Sequence, residues 1–205
     1  MNFTNTDLVS IYNSRQTLID VMQGRGYDVS SYNNFNINEV EAMAKNNQLD
    51  MLMKSPHHSA YVKYLLSKSA VRLTTIDELV EELFEIEAVL TKKDTLIIVV
   101  NDEPNDSMVA KLRYLFDHRG VYVVVHNIKR LQRNILKHEL VPKHSVVTEI
   151  EELKIEYSLK DLSQLPEISR FDPIALLIEL RPGQVCKIDR KSITSSESTY
   201  YRYCV

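Results

Sequence analysis

The chain has 205 residues, a formal net charge of −3 and 44% hydrophobic residues. That length accommodates one large domain or two modest ones, and the apolar content excludes a disordered chain. The acidic balance excludes a free-standing nucleic-acid binder of the usual basic kind, so phosphate neutralisation near nucleic acid would fall to a more basic partner.

The N-terminus, Met1 to Asp7, has no basic segment followed by an apolar one, and no secretory signal is expected. Leu8, Ile11, Tyr12, Leu18, Ile19 and Met22 recur at helical spacing and predict a helix over Asp7–Gln23, with Thr6 as N-cap and Gly24 or Gly26 at its end. A short helix follows over Asn38–Asn46. Leu49–Lys54 and Ala60–Leu65 read as two strands around the Ser55-Pro56-His57-His58-Ser59 turn. Thr75 and Glu78 form a Thr-x-x-Glu capping pattern ahead of Leu79, Val80, Leu83, Phe84 and Leu90. The other face of that helix carries Asp77, Glu78, Glu81, Glu82, Glu85 and Glu87, which reads as a solvated face.

Thr95–Val100 is a continuous apolar run, as is Val121–Val125, and both are buried strands by pattern. Neither is long enough to cross a bilayer. Between them Pro104 leads into a helix carrying Met108, Val109, Leu112, Leu115 and Phe116, stopped by Gly120. Strand, helix, strand of this length predicts a parallel crossover. Residues 1–132 are therefore expected to form a mixed α/β domain, closed by a short basic helix over Lys129–Arg133.

Residues 133–205 carry 11 basic and 11 acidic side chains and are expected to form a small α+β domain. Pro142 predicts an extended Leu140-Val141-Pro142. Glu149–Tyr157 reads as a short helix. Asp172 is an N-cap with Pro173 at the first helical position, and the helix is expected to run to Leu180 before Arg181-Pro182-Gly183 turns the chain. Val185–Ile188 and Thr199–Cys204 are strands joined by a serine-rich loop, Ser192–Ser198. The two cysteines, Cys186 and Cys204, point to a reducing compartment, with a disulfide between them open if the strands pair.

Chemistry is sparse. The loop Asn101-Asp102-Glu103-Pro104-Asn105-Asp106 after an apolar strand has no glycine and three acids, so it repels phosphate rather than cradling it. A restriction-type nuclease sets an Asp on one strand and Glu-x-Lys on the next to hold Mg²⁺. Here Asp50 and Lys63 match, but Tyr61 stands where the second carboxylate belongs. His57-His58, and His138 with His144, lack partners at a zinc spacing. His138 and His144 are expected instead to donate hydrogen bonds that fix an extended segment. Ser192, Ser195 and Ser196 have no elbow-like context. No catalytic, cofactor or metal site is expected. Residues 181–202 are locally basic, and Tyr200, Tyr201 and Tyr203 interleave with Arg202. Such a strand suits a protein interface, and less well a single-stranded nucleic acid.

The C-terminal words carry a resemblance. His138-Glu139-Leu140-Val141-Pro142-Lys143-His144, Leu165-Pro166-Glu167-Ile168, Asp172-Pro173-Ile174-Ala175, Arg181-Pro182-Gly183-Gln184-Val185, Arg190-Lys191-Ser192 and Tyr201-Arg202 follow one another in order. They closely resemble the C-terminal module of subunit 5 of eukaryotic nuclear RNA polymerases and its small archaeal counterpart. Arg15-Gln16-Thr17-Leu18 and Arg25-Gly26-Tyr27 resemble the N-terminal helix of the eukaryotic protein, which the archaeal one lacks.

The resemblance implies a non-catalytic, two-domain subunit without cofactor. Residues 133–205 would be an assembly domain anchored to the largest polymerase subunit. Residues 1–132 would be a jaw domain of nuclease-like fold beside downstream DNA. Partner-binding positions would be His138, Glu139, Leu140, Val141, Pro142, His144, Asp172, Pro173, Gly183, Arg190, Lys191, Ser192, Tyr201 and Arg202. The DNA-facing loop would include Asn101, Pro104 and Asn105. There are departures: Glu179 replaces a family glycine, so the helix begun by Asp172 is expected to be capped differently. Arg-Pro-Gly at 181–183 replaces Lys-Arg-Gly. Ser195-Ser196 stands where the final loop usually has glycine, and the family's Thr-Pro-Ser jaw loop becomes Glu103-Pro104-Asn105. This divergence points to a version encoded by a large DNA virus, placed in host cytoplasm and virion, whereas a cellular one would be nuclear. The alternatives are a Mg²⁺-dependent nuclease and a free transcription adaptor.

Overall fold

The computed structural model describes residues 4–66, 71–192 and 196–205. The chain divides into two compact units, Met1–Asn134 and Ile135–Val205. Both are mixed α/β with mixed sheets.

In the first unit, α1 runs Asn5–Gly24. Its cap is Thr4 rather than Thr6: Thr4 Oγ1 accepts from the Asp7 N–H, and the Asp7 carboxylate accepts from the Thr4 N–H at 3.0 Å. Two reciprocal bonds outcompete the single one Thr6 would offer. Gly26, at φ 84°, turns the chain away. A second capping box, Asn36 with Glu39, starts α2 over Ile37–Lys45.

β1 (Met51–Lys54) pairs antiparallel with β2 (Ser59–Leu65). β3 (Thr95–Val100) lies parallel to β2, and β4 (Tyr122–Asn127) parallel to β3, giving the order β1-β2-β3-β4. Every residue of β3 and β4 is buried, so both faces of this part of the sheet are covered, as parallel sheets require. Ile11, Leu18 and Met22 of α1 enter the core, with Ile76 and Val80 from α3 (Leu73–Glu81) and Met108 and Leu112 from α4 (Asp106–Tyr114).

The expected capping pair Thr75/Glu78 is not used. Thr75 already lies inside α3, its N–H bonded to Arg72 O at 3.1 Å, and Arg72 is the uncapped N-terminal residue. Glu78, Glu81, Glu82, Glu85 and Glu87 are exposed, as a solvated face requires, while Asp77 pairs with Lys111 at 2.7 Å. α4 is capped by Asn105, whose Oδ1 accepts from the Met108 N–H at 2.8 Å. The basic segment near 129–133 is one tight 3₁₀ turn, Ile128–Leu131.

The second unit holds a four-stranded sheet in the order β5-β7-β8-β6. β5 is Lys143–Val146, β6 Glu167–Ile168, β7 Val185–Ser192 and β8 Ser196–Cys204. β7 and β8 form a hairpin whose register continues from Val185↔Tyr203 to Ser192↔Ser196, so the expected 192–198 loop is shorter. Ser195 falls outside the described residues. α5 is Ile150–Glu156 and α6 is Pro173–Leu177. The core gathers Ile168, Ala175, Ile178, Leu180, Cys186, Ile188 and Cys204, with Leu136, Val146 and Ile174 packed against it.

α6 begins as read from the sequence: Asp172 Oδ1 accepts from the Ile174 and Ala175 N–H groups at 2.9 and 3.3 Å. It ends three residues earlier than expected. Leu180 N–H reaches Ala175 O at 2.8 Å and Glu179 N–H reaches Leu176 O at 3.2 Å, which is a Schellman closure. Glu179 itself adopts φ 51°. The expectation of a different cap is therefore overturned: the glycine-type turn persists, with glutamate forced into it.

Candidate docking surfaces

The His138–His144 segment opens as a turn over His138–Val141, where an extended Leu140-Val141-Pro142 was expected, and becomes extended only at Lys143 and His144, the first residues of β5. Val141 N–H reaches His138 O at 2.9 Å, and His138 Nδ1 accepts from Leu140 N–H at 3.2 Å. Proline steers the residue before it, Val141, away from the helical region, and as the last residue of the turn Val141 donates its N–H without needing a helical conformation. His144 Nδ1 bonds Pro142 O at 2.7 Å, so that nitrogen carries the proton. Of the two histidines, one donates as expected and the other accepts. The turn leaves Leu140 84% exposed, next to exposed His138 and Glu139, with Val141, Pro142 and His144 half-buried. β5 follows directly and pairs with β7, His144 opposite Ile188.

The remaining positions in this unit separate by role. Asp172 and Pro173 start α6. Gly183, at φ 87°, donates to Cys204 O at 2.9 Å while Cys204 N–H donates to Gln184 O at 2.9 Å, closing the turn into β7. These residues shape the unit. Arg190 and Arg202 are exposed. The Arg202 guanidinium donates to Glu167 O at 2.9 Å, tying β8 to the edge strand β6. The side chains of Lys191 and Ser192 lie outside the described residues. Tyr201 stacks edge-on against Tyr157, which caps the end of α5, ring centroids 5.3 Å apart.

The sequence patterns missed two exposed apolar side chains here, Ile155 at 80% and Tyr157 at 46%. The available signal was an isoleucine set among Glu151, Glu152 and Glu156. Tyr200 and Val205 are also exposed. Cys186 and Cys204 are free, buried thiols. Their strands pair, but Cys186 faces Arg202, so Cys204 sits diagonally from it. Diagonal neighbours lie beyond the usual reach of a disulfide. Burial pushes both thiols up to about 11.

In the first unit, the Asp50–Lys63–Tyr61 trio does come together. The strand register sets Asp50 beside Lys63, whose Nζ lies 2.5 Å from Asp50 Oδ2, and Tyr61 donates its hydroxyl to the same oxygen at 3.2 Å. Burial and the Asp50 charge raise the Tyr61 phenol. The ammonium thus neutralises the carboxylate that a nuclease would turn toward a metal. Among the described residues, no three His, Cys, Asp or Glu side chains gather as a metal group.

The 101–105 loop is internally engaged. Asn127 donates to Asn101 O at 3.2 Å, Arg130 forks onto both oxygens of Glu103 at 3.0 and 2.9 Å, and Asn105 caps α4. Pro104 is half-buried, and Asp102 and Asp106 remain exposed acids. Arg15, in the Arg15–Leu18 motif, is an interior residue: only 2% exposed, it donates to Leu49 O at 2.7 Å, with the Tyr32 and Phe35 rings 5.7 and 5.8 Å from its guanidinium. Desolvation lowers its pKa.

Each of the two units is built on a four-stranded mixed sheet, and the C-terminal one presents an exposed turn and a long hairpin. The family model for the RNA polymerase Rpb5, C-terminal domain, matches residues 133–204. The chain is 46% identical over 80 residues to the DNA-directed RNA polymerase subunit Rpo5 of Staphylothermus marinus, covering 38% of this chain and 87% of that one. It is 29% identical over 202 residues to subunit rpabc1 of DNA-directed RNA polymerases I, II and III of Dictyostelium discoideum, covering 97% and 99%. To the Caenorhabditis elegans counterpart it is 47% identical over 87 residues, 41% of each chain. The chain belongs to the Rpb5/Rpo5 family of DNA-directed RNA polymerase subunits.

Proposed function

We propose that this chain is a structural subunit of a multisubunit DNA-directed RNA polymerase, with no reaction of its own. Residues 133–205 serve as the assembly domain and anchor to the largest subunit; residues 1–132 serve as a nuclease-like jaw beside downstream DNA. The observation that carries this reading is the match to Dictyostelium rpabc1 along 97% of the chain, together with the family match of the C-terminal unit. The anchor uses Leu140 with the rest of the His138–His144 segment, its turn and the start of β5, and the outer hairpin with Arg190, Lys191, Ser192, Tyr201 and Arg202. Asp172, Pro173 and Gly183 support those surfaces without touching the partner. The loop with Asn101, Pro104 and Asn105 runs past the DNA without gripping it, because Asp102 and Asp106 repel phosphate and Arg130 is committed to Glu103. The protein acts where that polymerase acts: in the nucleus for a cellular form, and in host cytoplasm and virion for a viral one.

Affinity purification of the tagged chain from its native host, followed by mass spectrometry, tests the proposal. The large catalytic subunits are expected to co-purify, and recovery of the chain alone overturns it. Leu140→Asp is expected to abolish co-purification without lowering thermal stability, since Leu140 is already solvent-exposed. Undiminished recovery of the large subunits with this variant refutes the assignment of the turn as an anchor.

A further inference from the structure

We draw no further inference here: the strongest candidate, the acidic face of α3 and the turn after it, which carries exposed Glu78, Glu81, Glu82 and Glu87, a Glu85 paired with Arg119, and the 78%-exposed Ile86, is a set of exposed acids with an apolar residue in sequence among them, and nothing in the structure shows what covers it.

Discussion

Replacing Glu179 by glycine and, separately, by alanine isolates the backbone strain at the end of α6. Glu179 sits at φ 51°, pinned by the Leu180–Ala175 and Glu179–Leu176 hydrogen bonds. An L-residue in this left-handed region carries roughly 1–2 kcal/mol of crowding between Cβ and the following carbonyl oxygen. Glycine escapes the crowding but surrenders about 0.4–1 kcal/mol more chain entropy on folding. Both variants delete the same buried carboxylate, so that loss cancels between them. Glycine is therefore expected to be more stable than alanine by about 1 kcal/mol, which is roughly 4–8 °C in Tm for a unit this small. Urea denaturation of the full chain, with amide exchange at Leu180 reporting the C-terminal unit, measures the difference. Equal stabilities, or a more stable alanine variant, would refute the strained-turn account.

Three other outcomes follow from burial and capping. Burial, with Arg130 adding to it, depresses His126 from 6.5 to about 4. The unfolded chain binds this proton first, so stability is complete above about pH 6.5 and falls by about 3 kcal/mol as pH drops toward 4. His126→Asn should flatten that acid limb, and an unchanged slope would count against it. Cys186 and Cys204, raised to about 11 from 9.0, leave stability intact below pH 9 and withdraw it as pH climbs through 11. Both thiols should resist maleimide at pH 8 until urea is added; labelling of the native chain at the unfolded rate would contradict their burial. Asp172→Ala removes the acceptor for two N–H groups and should destabilise the C-terminal unit by about 1 kcal/mol, whereas Asp172→Asn should stay within a few tenths. Identical losses for the two would exclude capping as the cause.

Elements whose signal is local were legible in the residues alone. The apolar run at 95–100 is β3 to the residue. Asp172-Pro173 starts α6 because an acceptor followed by a residue lacking an N–H is itself the start of a helix. Ordered C-terminal motifs sufficed for the family, since six short words in sequence need no coordinates to be matched. The errors came where two local options competed. Thr4 and Thr6 are both competent caps, and Thr4 prevails because Asp7 three residues on returns its bond, which Val9 cannot do for Thr6; α3 instead starts at Arg72 without a side-chain cap, leaving Thr75 inside it.

Tertiary structure decided the partners of each polar group. Pattern alone placed Asp50 and Lys63 on neighbouring strands, but only strand register brought the ammonium onto the carboxylate at 2.5 Å. The sequence offers Arg15 only as part of the Arg15–Leu18 motif; packing made it an interior donor to Leu49. The motif at 138–144 named its residues without saying which pointed outward, because exposure is a property of the whole fold. What is written in the chain is periodicity and local hydrogen-bonding capacity, which act over a few residues. What it leaves to folding is the pairing of groups 13 or 34 residues apart, as in Asp50–Lys63 and Arg15–Leu49, since those distances exist only once the strands and helices have packed.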